Sequence, residues 1–192
     1  MAITVINFQG PTSMEPDALH TGASLPQFAG LLGTDGKKYS SGDFHEQVLI
    51  IVFSCNHCPY VQAYEERMIA LQKDYAARGV RLVAINSNEI RNYPEDSYEH
   101  MVERAHTKGF NFTYLRDEDQ AVADAFGATH TPQFFIFDRE RKLCYSGKMD
   151  DNWKEPQRVK ETYLRDALEA ILAGKEVKTP ETLSIGCTIK WK

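Results

Sequence analysis

No basic run interrupts the 192 residues, and lysine plus arginine (22) are outnumbered by aspartate plus glutamate (27), for a formal net charge of −5. The attraction that draws proteins to nucleic acid or to anionic membrane surfaces is therefore missing, and neither is expected as a partner. No stretch approaches the roughly 18 consecutive apolar residues of a spanning helix. The segment Met1-Ala2-Ile3-Thr4-Val5-Ile6-Asn7-Phe8-Gln9-Gly10 also lacks the basic and apolar regions of a secretory leader. With a natural start at Met1, the expected location is cytoplasmic. Repeats and obvious linkers are absent too, so one core is expected. Cysteine is scarce: Cys55, Cys58, Cys144 and Cys187 are too few and too unevenly spaced for a disulfide scaffold. In a reducing compartment a close pair reads as catalytic or metal-binding.

What is present is ordinary for a soluble globular chain, with 42% hydrophobic and 26% charged residues. Residues 1–24, with turn signals at Gly10-Pro11 and Glu15-Pro16-Asp17, read as an amino-terminal arm of no evident function. Residues 25–174 read as the domain and 175–192 as a carboxy-terminal tail. Within the domain, Asp35-Gly36 predicts a hairpin turn, and Val48 to Phe53, continuously apolar and β-branched, predicts a central strand covered on both faces. Val61, Tyr64, Met68, Leu71 and Tyr75 then recur at helical spacing up to Gly79, and Val80 to Asn86 resumes strand character. Strand, helix and strand make a right-handed crossover with the strands parallel. Further elements are predicted as a helix from Tyr98 to Lys108, a strand from Phe110 to Tyr114 and a short helix stopped by Gly127. A hairpin of Gln133 to Phe137 with Leu143 to Ser146 and a closing helix from Val159 to Leu172 complete the set. The fold class is α/β, with a mixed central sheet and helices on both faces.

The stretch that carries chemistry is Cys55-Asn56-His57-Cys58-Pro59, where the apolar run ends in two cysteines three positions apart. A strand-to-helix junction leaves unpaired N–H groups at the helix start, which favour a thiolate, the nucleophilic form. That placement points to Cys55 as the more reactive thiol, and Pro59 suits a first helical turn. His57, between the thiols, could stabilise the anion or simply lie exposed at the helix start. No acidic residue occurs from Val48 to Ser54, so the strand supplies no buried carboxylate for proton transfer.

Cys-x-x-Cys in this setting, with Thr131-Pro132 just before an apolar strand and a closing helix, resembles the thioredoxin superfamily. The amino-terminal hairpin, the inserted helix and Leu115-Arg116-Asp117-Glu118-Asp119 are similar to its redoxin branch of alkyl hydroperoxide reductases and thiol-specific antioxidants. Cys-Asn-His-Cys-Pro-Tyr-Val, the run from Tyr145 to Asp151 and the run from Ser184 to Trp191 are similar to a peroxiredoxin-like group within it. The resemblance implies a thioredoxin-like fold and a cis Thr131-Pro132 bond facing the cysteines, with the Thr131 backbone open to an extended substrate. It also implies thiol-disulfide exchange, in which Cys55 attacks and Cys58 resolves. Substrates would be disulfide-bearing proteins or small thiols and disulfides, served by an unidentified electron donor.

Asn56, His57, Pro59, His130, Thr131 and Pro132 are the supporting residues; some other group, such as His57 or His130, must stand in for the missing acid, or exchange will be slow. A peroxidatic Pro-x-x-x-Thr-x-x-Cys is not found: counted back from Cys55 its slots hold Val48 and Val52, and from Cys58 they hold Ile51 and Cys55. A modest peroxidase action of a low-pKa thiolate is the alternative within the enzyme class. A metal module would need a second ligand pair that the sequence does not offer nearby, so no metal or other cofactor is expected. A redox-silent partner-binding domain is the remaining alternative. Cys144 reads as a buried structural thiol. Cys187, beyond the last helix, reads either as a third redox thiol on a tail that folds back or as a bystander in a tail anchored by Ile185, Ile189 and Trp191. Asp150 and Asp151 read as a solvated loop.

Overall fold

The computed structural model describes residues 19–192, so most of the expected arm, residues 1–18, lies outside the described residues. Leu31–Gly33 (β1) and Lys38–Tyr39 (β2) pair antiparallel around Asp35-Gly36, where Gly36 supplies the left-handed backbone (φ 80°) that the turn requires. Val48–Phe53 (β3) leads into Pro59–Tyr75 (α1), which tightens into a 3₁₀ turn and ends at left-handed Gly79 before Val80–Asn86 (β4). Tyr98–Lys108 (α2), Thr113–Arg116 (β5) and Ala121–Phe126 (α3) follow. His130–Thr131 (β6), Gln133–Phe137 (β7), Leu143–Gly147 (β8), Tyr163–Leu172 (α4) and Cys187–Thr188 (β9) complete the chain.

Seven strands form one mixed sheet in the order β2-β1-β5-β4-β3-β7-β8, while β6 and β9 form a separate pair. β3 runs parallel to β4 and antiparallel to β7. It is an interior strand, but the middle position belongs to β4, one place from where the sequence suggested. Because side chains alternate across a strand, β3 feeds two cores. Val48, Ile50 and Val52 pack with α1, Met101 of α2 and Leu164, Ala167 and Leu168 of α4. Leu49, Ile51 and Phe53 pack on the opposite side with α3, Phe135 and Phe137. Helices thus cover both faces, and this double burial is why β3 reads as an unbroken apolar run.

Three expected boundaries shift for visible reasons. The closing helix starts at Tyr163 rather than Val159, because Asp151 Oδ1 accepts the Lys160 N–H (2.9 Å) and holds that segment extended. β5 starts at Thr113, opposite Val83 of β4, while Phe110 and Phe112 stack on each other at 4.5 Å instead of pairing. The turn between β7 and β8 lacks glycine because Arg141 takes the left-handed position (φ 59°). Its guanidinium is held there by the Phe44 and Glu46 carbonyls.

The tail does not trail off. The Thr182 N–H donates to the Ser146 carbonyl (3.0 Å), the Ile189 N–H donates to the Thr129 carbonyl (2.9 Å), and Ile189 is buried in the second core. Ile185 and Trp191, also expected as anchors, are 46% and 47% exposed, so Ile189 alone of the three anchors. Asp150 departs from the expected solvated loop as well. It is buried and accepts from Tyr64 Oη (2.9 Å) and Arg67 (2.6 Å), tying β8's exit to α1, whereas Asp151 is exposed.

Candidate active site

β3 ends at Phe53 and α1 begins at Pro59, leaving residues 54–58 to turn the chain from sheet to helix. The N-cap of α1 is Cys58, with Pro59 at the first helical position where its missing N–H costs nothing. This corrects the sequence expectation: the thiol at the helix start is Cys58, and Cys55 lies one short loop earlier. Cys55 and Cys58 are 1% and 0% exposed, so neither sulfur meets solvent directly.

Thr131 sits against both. Its hydroxyl is 3.3 Å from Cys55 Sγ and its carbonyl is 3.2 Å from Cys58 Sγ. The Thr131-Pro132 bond is cis. Cys187, paired opposite Thr131 in the β6–β9 ladder, brings its sulfur to 2.7 Å from Cys58 Sγ. All the cysteines are free thiols.

Electrostatics separates the thiols. A hydrogen bond from the Cys55 thiol, joined by the Cys187 thiol and by the backbone N–H groups of Val61 and Cys187, holds Cys58 far below the ordinary thiol range in spite of burial. Cys55 is pushed well up by that same bond, by burial and by the charge of Asp96. Burial and its bond to Cys58 also raise Cys187. These contacts favour Cys58 over Cys55 as the thiol that ionises first. Thiolate absorbance at 240 nm is expected to persist at pH 7, where a thiol of ordinary pKa, about 8.5, is mostly protonated. Cys58→Ser should remove it; an unchanged signal at pH 7 would refute this distribution. Because the folded pKa lies below the unfolded one, the anion's contribution to stability is complete above the unfolded value and is lost as pH falls through the folded one.

A buried carboxylate is present after all, from a part of the chain where the sequence did not point. Asp96, 0% exposed, ends a 3₁₀ turn between β4 and α2. Its Oδ1 accepts from the Asn56 backbone N–H (2.6 Å) and Asn86 Nδ2 (3.1 Å), and its Oδ2 accepts from Asn88 Nδ2 (2.8 Å) and pairs with His57 Nδ1 (2.7 Å). Asn56 is fixed further by its side-chain bonds to the Glu95 carbonyl (2.7 Å) and Tyr114 Oη (3.0 Å). His57 stacks on Tyr93 with ring centroids 5.1 Å apart.

Cys55 Sγ, a His57 ring nitrogen and an Asp96 oxygen lie within 4.8 Å of one another, a spacing that metal donors share. Each Asp96 oxygen already takes part in two hydrogen bonds, which a cation would displace, so the donor set is better suited to holding the loop than to holding an ion. A cleft of about 420 Å³ lined by Asn56, His57, Gln62 and Arg104 opens on the His57 side.

A family model described as Redoxin matches residues 20–163. This chain belongs to the Redoxin family. Among solved structures, this redoxin is similar to an uncharacterized conserved protein from Geobacillus kaustophilus. Identity is 41%, with 92% of this chain and 94% of that chain covered and a TM-score of 0.86. A hypothetical protein from Sinorhizobium meliloti 1021 matches at 37% identity, over 92% and 97% of the two chains, with a TM-score of 0.84. At 23% identity, a thiol:disulfide interchange protein of the thioredoxin family from Chlorobium tepidum TLS covers 81% of this chain and 99% of its own. Its TM-score of 0.61 shows a shared thioredoxin-like fold. A search of curated proteins gives no significant match.

Of the residues singled out in the redoxin's sequence, Cys55, Asn56, His57, Cys58, Pro59, Thr131, Pro132 and Cys187 come together. His130 does not join them through its ring, which bonds Thr129 Oγ1 (2.8 Å). Cys144 lies on β8, only partly buried, with burial and Asp138 raising its pKa to about 11. Asp96, Tyr93 and Tyr114 were missed, since Pro94-Glu95-Asp96-Ser97 reads simply as a helix start. Among the described residues no helix is long and apolar enough to cross a membrane.

Proposed function

We propose that this redoxin is a thiol-disulfide oxidoreductase whose working couple is Cys55 and Cys58. The observation that carries this reading is the pair itself, two buried thiols set against Thr131 at a strand-to-helix junction with Cys58 as the helix N-cap. One sulfur attacks a substrate disulfide and releases a thiolate; the second displaces the substrate's remaining sulfur and closes the Cys55–Cys58 disulfide. An external thiol donor then restores the dithiol. The substrates are disulfide-bearing proteins or small disulfides, and His57, Asn56 and Asp96 are positioning residues that fix the loop.

Two orders of attack are open to the pair. Family resemblance favours Cys55 attacking and Cys58 resolving. The contacts that lower Cys58 and raise Cys55 favour the reverse, since the thiolate is the nucleophile. Peroxidase chemistry has less support, because Val48, Ile51 and Val52, in the slots where a peroxidatic motif would need proline and threonine, are core residues.

The reduced protein is expected to catalyse reduction of insulin disulfides by dithiothreitol, and Cys55→Ser/Cys58→Ser to show only the uncatalysed rate. Equal rates for the two proteins would reject the assignment.

A further inference from the structure

The two cysteines of the couple are closed off from solvent, yet electrons must enter and leave them. We propose that Cys187 is a third redox thiol that exchanges with the Cys55–Cys58 disulfide through Cys58 and presents the oxidising equivalent at the protein surface; this rests on the dithiol reading above.

Three observations carry it. First, Cys187 Sγ is 2.7 Å from Cys58 Sγ, against about 2.05 Å for a formed disulfide, so the two sulfurs need little movement to bond. Second, Cys187 is partly exposed while Cys55 and Cys58 are 1% and 0% exposed, which makes it the accessible sulfur of the three. Third, the tail is fixed from both sides by bonds that do not involve the Cys187 side chain. Before it, Thr182 Oγ1 accepts from the Lys148 N–H (3.0 Å); after it, the Lys190 N–H donates to Asn88 Oδ1 (2.8 Å) and Ile189 is buried. Anchoring alone thus leaves the thiol at position 187 without a purpose.

The backbone is shaped for the contact. Cys187 faces Thr131 across the β6–β9 ladder, and at Gly186 a Cβ would fall 2.1 Å from the Thr131 carbonyl oxygen. Only glycine lets the tail pass this close. The ladder also occupies the β6 edge that an extended substrate would use, so the tail sits as a built-in substrate strand whose cysteine meets the couple.

The exchange is balanced. Cys187 gives up its proton, and its thiolate attacks Cys58 Sγ. The Cys58–Cys187 bond forms, the Cys55–Cys58 bond breaks, and Cys55 leaves as a thiolate that takes up a proton; no net oxidation occurs. One thiol of an external dithiol then attacks Cys187 Sγ and releases Cys58 as a thiolate; the dithiol's second thiol attacks its own sulfur in that mixed disulfide, closing the external disulfide and releasing Cys187, which takes up a proton. A thiol of lowered pKa leaves faster, so the anion-stabilising helix start favours that step.

The test oxidises the full-length reduced protein with one equivalent of diamide, quenches in acid, alkylates and maps the linked peptides. A Cys58–Cys187 link is expected beside Cys55–Cys58 in the wild type, and as the main product in Cys55→Ser. Cys187→Ser should slow insulin turnover about tenfold, since the closed couple then has no exposed thiol to exchange with. Gly186→Ala, which keeps the thiol but displaces it, should slow turnover similarly and deplete the Cys58–Cys187 link. Exclusive Cys55–Cys58 linkage with Cys187 fully alkylated, or wild-type turnover by Cys187→Ser, overturns the relay. Failure of the dithiol reading looks different, because there the wild type itself would not reduce insulin, while the linkage map would still decide the role of Cys187.

Discussion

Cys58→Ser is expected to lower insulin reduction to below about 1% of the wild-type rate, the largest functional loss of any single substitution. Cys58 is the sulfur shared by both pairings, with Cys55 on one side and Cys187 2.7 Å away on the other. It is also the helix N-cap, and its surroundings lower its pKa. Serine keeps the shape but has no low-pKa nucleophile and cannot form either disulfide. Cys55→Ser should lose less, because Cys58 can still attack and Cys187 can still displace the bound substrate. Incubating each variant with excess insulin and searching for a disulfide-linked adduct decides the order of attack. Cys55→Ser/Cys187→Ser should trap substrate on Cys58. An adduct on Cys55 in Cys58→Ser instead, with no adduct on Cys58 in the double variant, would restore the order in which Cys55 leads.

The largest loss of stability is expected at Asp96. Asp96→Ala strips the acceptor from the buried Asn56 backbone N–H, Asn86 and Asn88, and from the partly exposed His57. Each buried donor left without a partner costs on the order of 1–3 kcal/mol, partly recovered by relaxation. A total of about 3–5 kcal/mol follows, comparable to breaking a buried pair. For a chain of this size that corresponds to a fall of roughly 10 °C in melting temperature. Thermal unfolding of the reduced protein measures it, and a change under about 1 kcal/mol would mean that Asp96 is not the hub of this loop. The same variant removes the Asp96 charge that helps to raise Cys55, so a 240 nm titration reaching lower pH for Cys55 serves as a second readout that a purely structural loss elsewhere in the fold would not move.

Asp96 also shows where reading the sequence stops. The strand before Cys55 carries no acid from Val48 to Ser54. The carboxylate arrives instead from a turn 40 residues later, carried in by the crossover from β4 to α2. Nothing in Pro94-Glu95-Asp96-Ser97 distinguishes a buried aspartate from an ordinary helix-start acid. Asp150 was misjudged for a similar reason: its partners Tyr64 and Arg67 lie on α1, far away in the chain. The helix start was placed at position 55 instead of 58 because a strand-to-helix junction predicts where a helix begins only to within a few residues.

By itself the sequence determined the elements whose causes are local. The unbroken apolar run of β3, the helical stripe of α1 ending at Gly79, the Asp35-Gly36 turn and the span of α2 follow from periodicity and from backbone preferences that neighbouring residues set. It also offered the candidate site, because Cys-x-x-Cys and Thr131-Pro132 are short local motifs. Tertiary structure alone decided that Cys58 is the helix N-cap, that Asp96 stands beside Cys55, and that Cys187 meets Cys58. Those outcomes depend on distances between segments 40 to 130 residues apart in the chain, and on N–H groups and burial that exist only once the segments have packed.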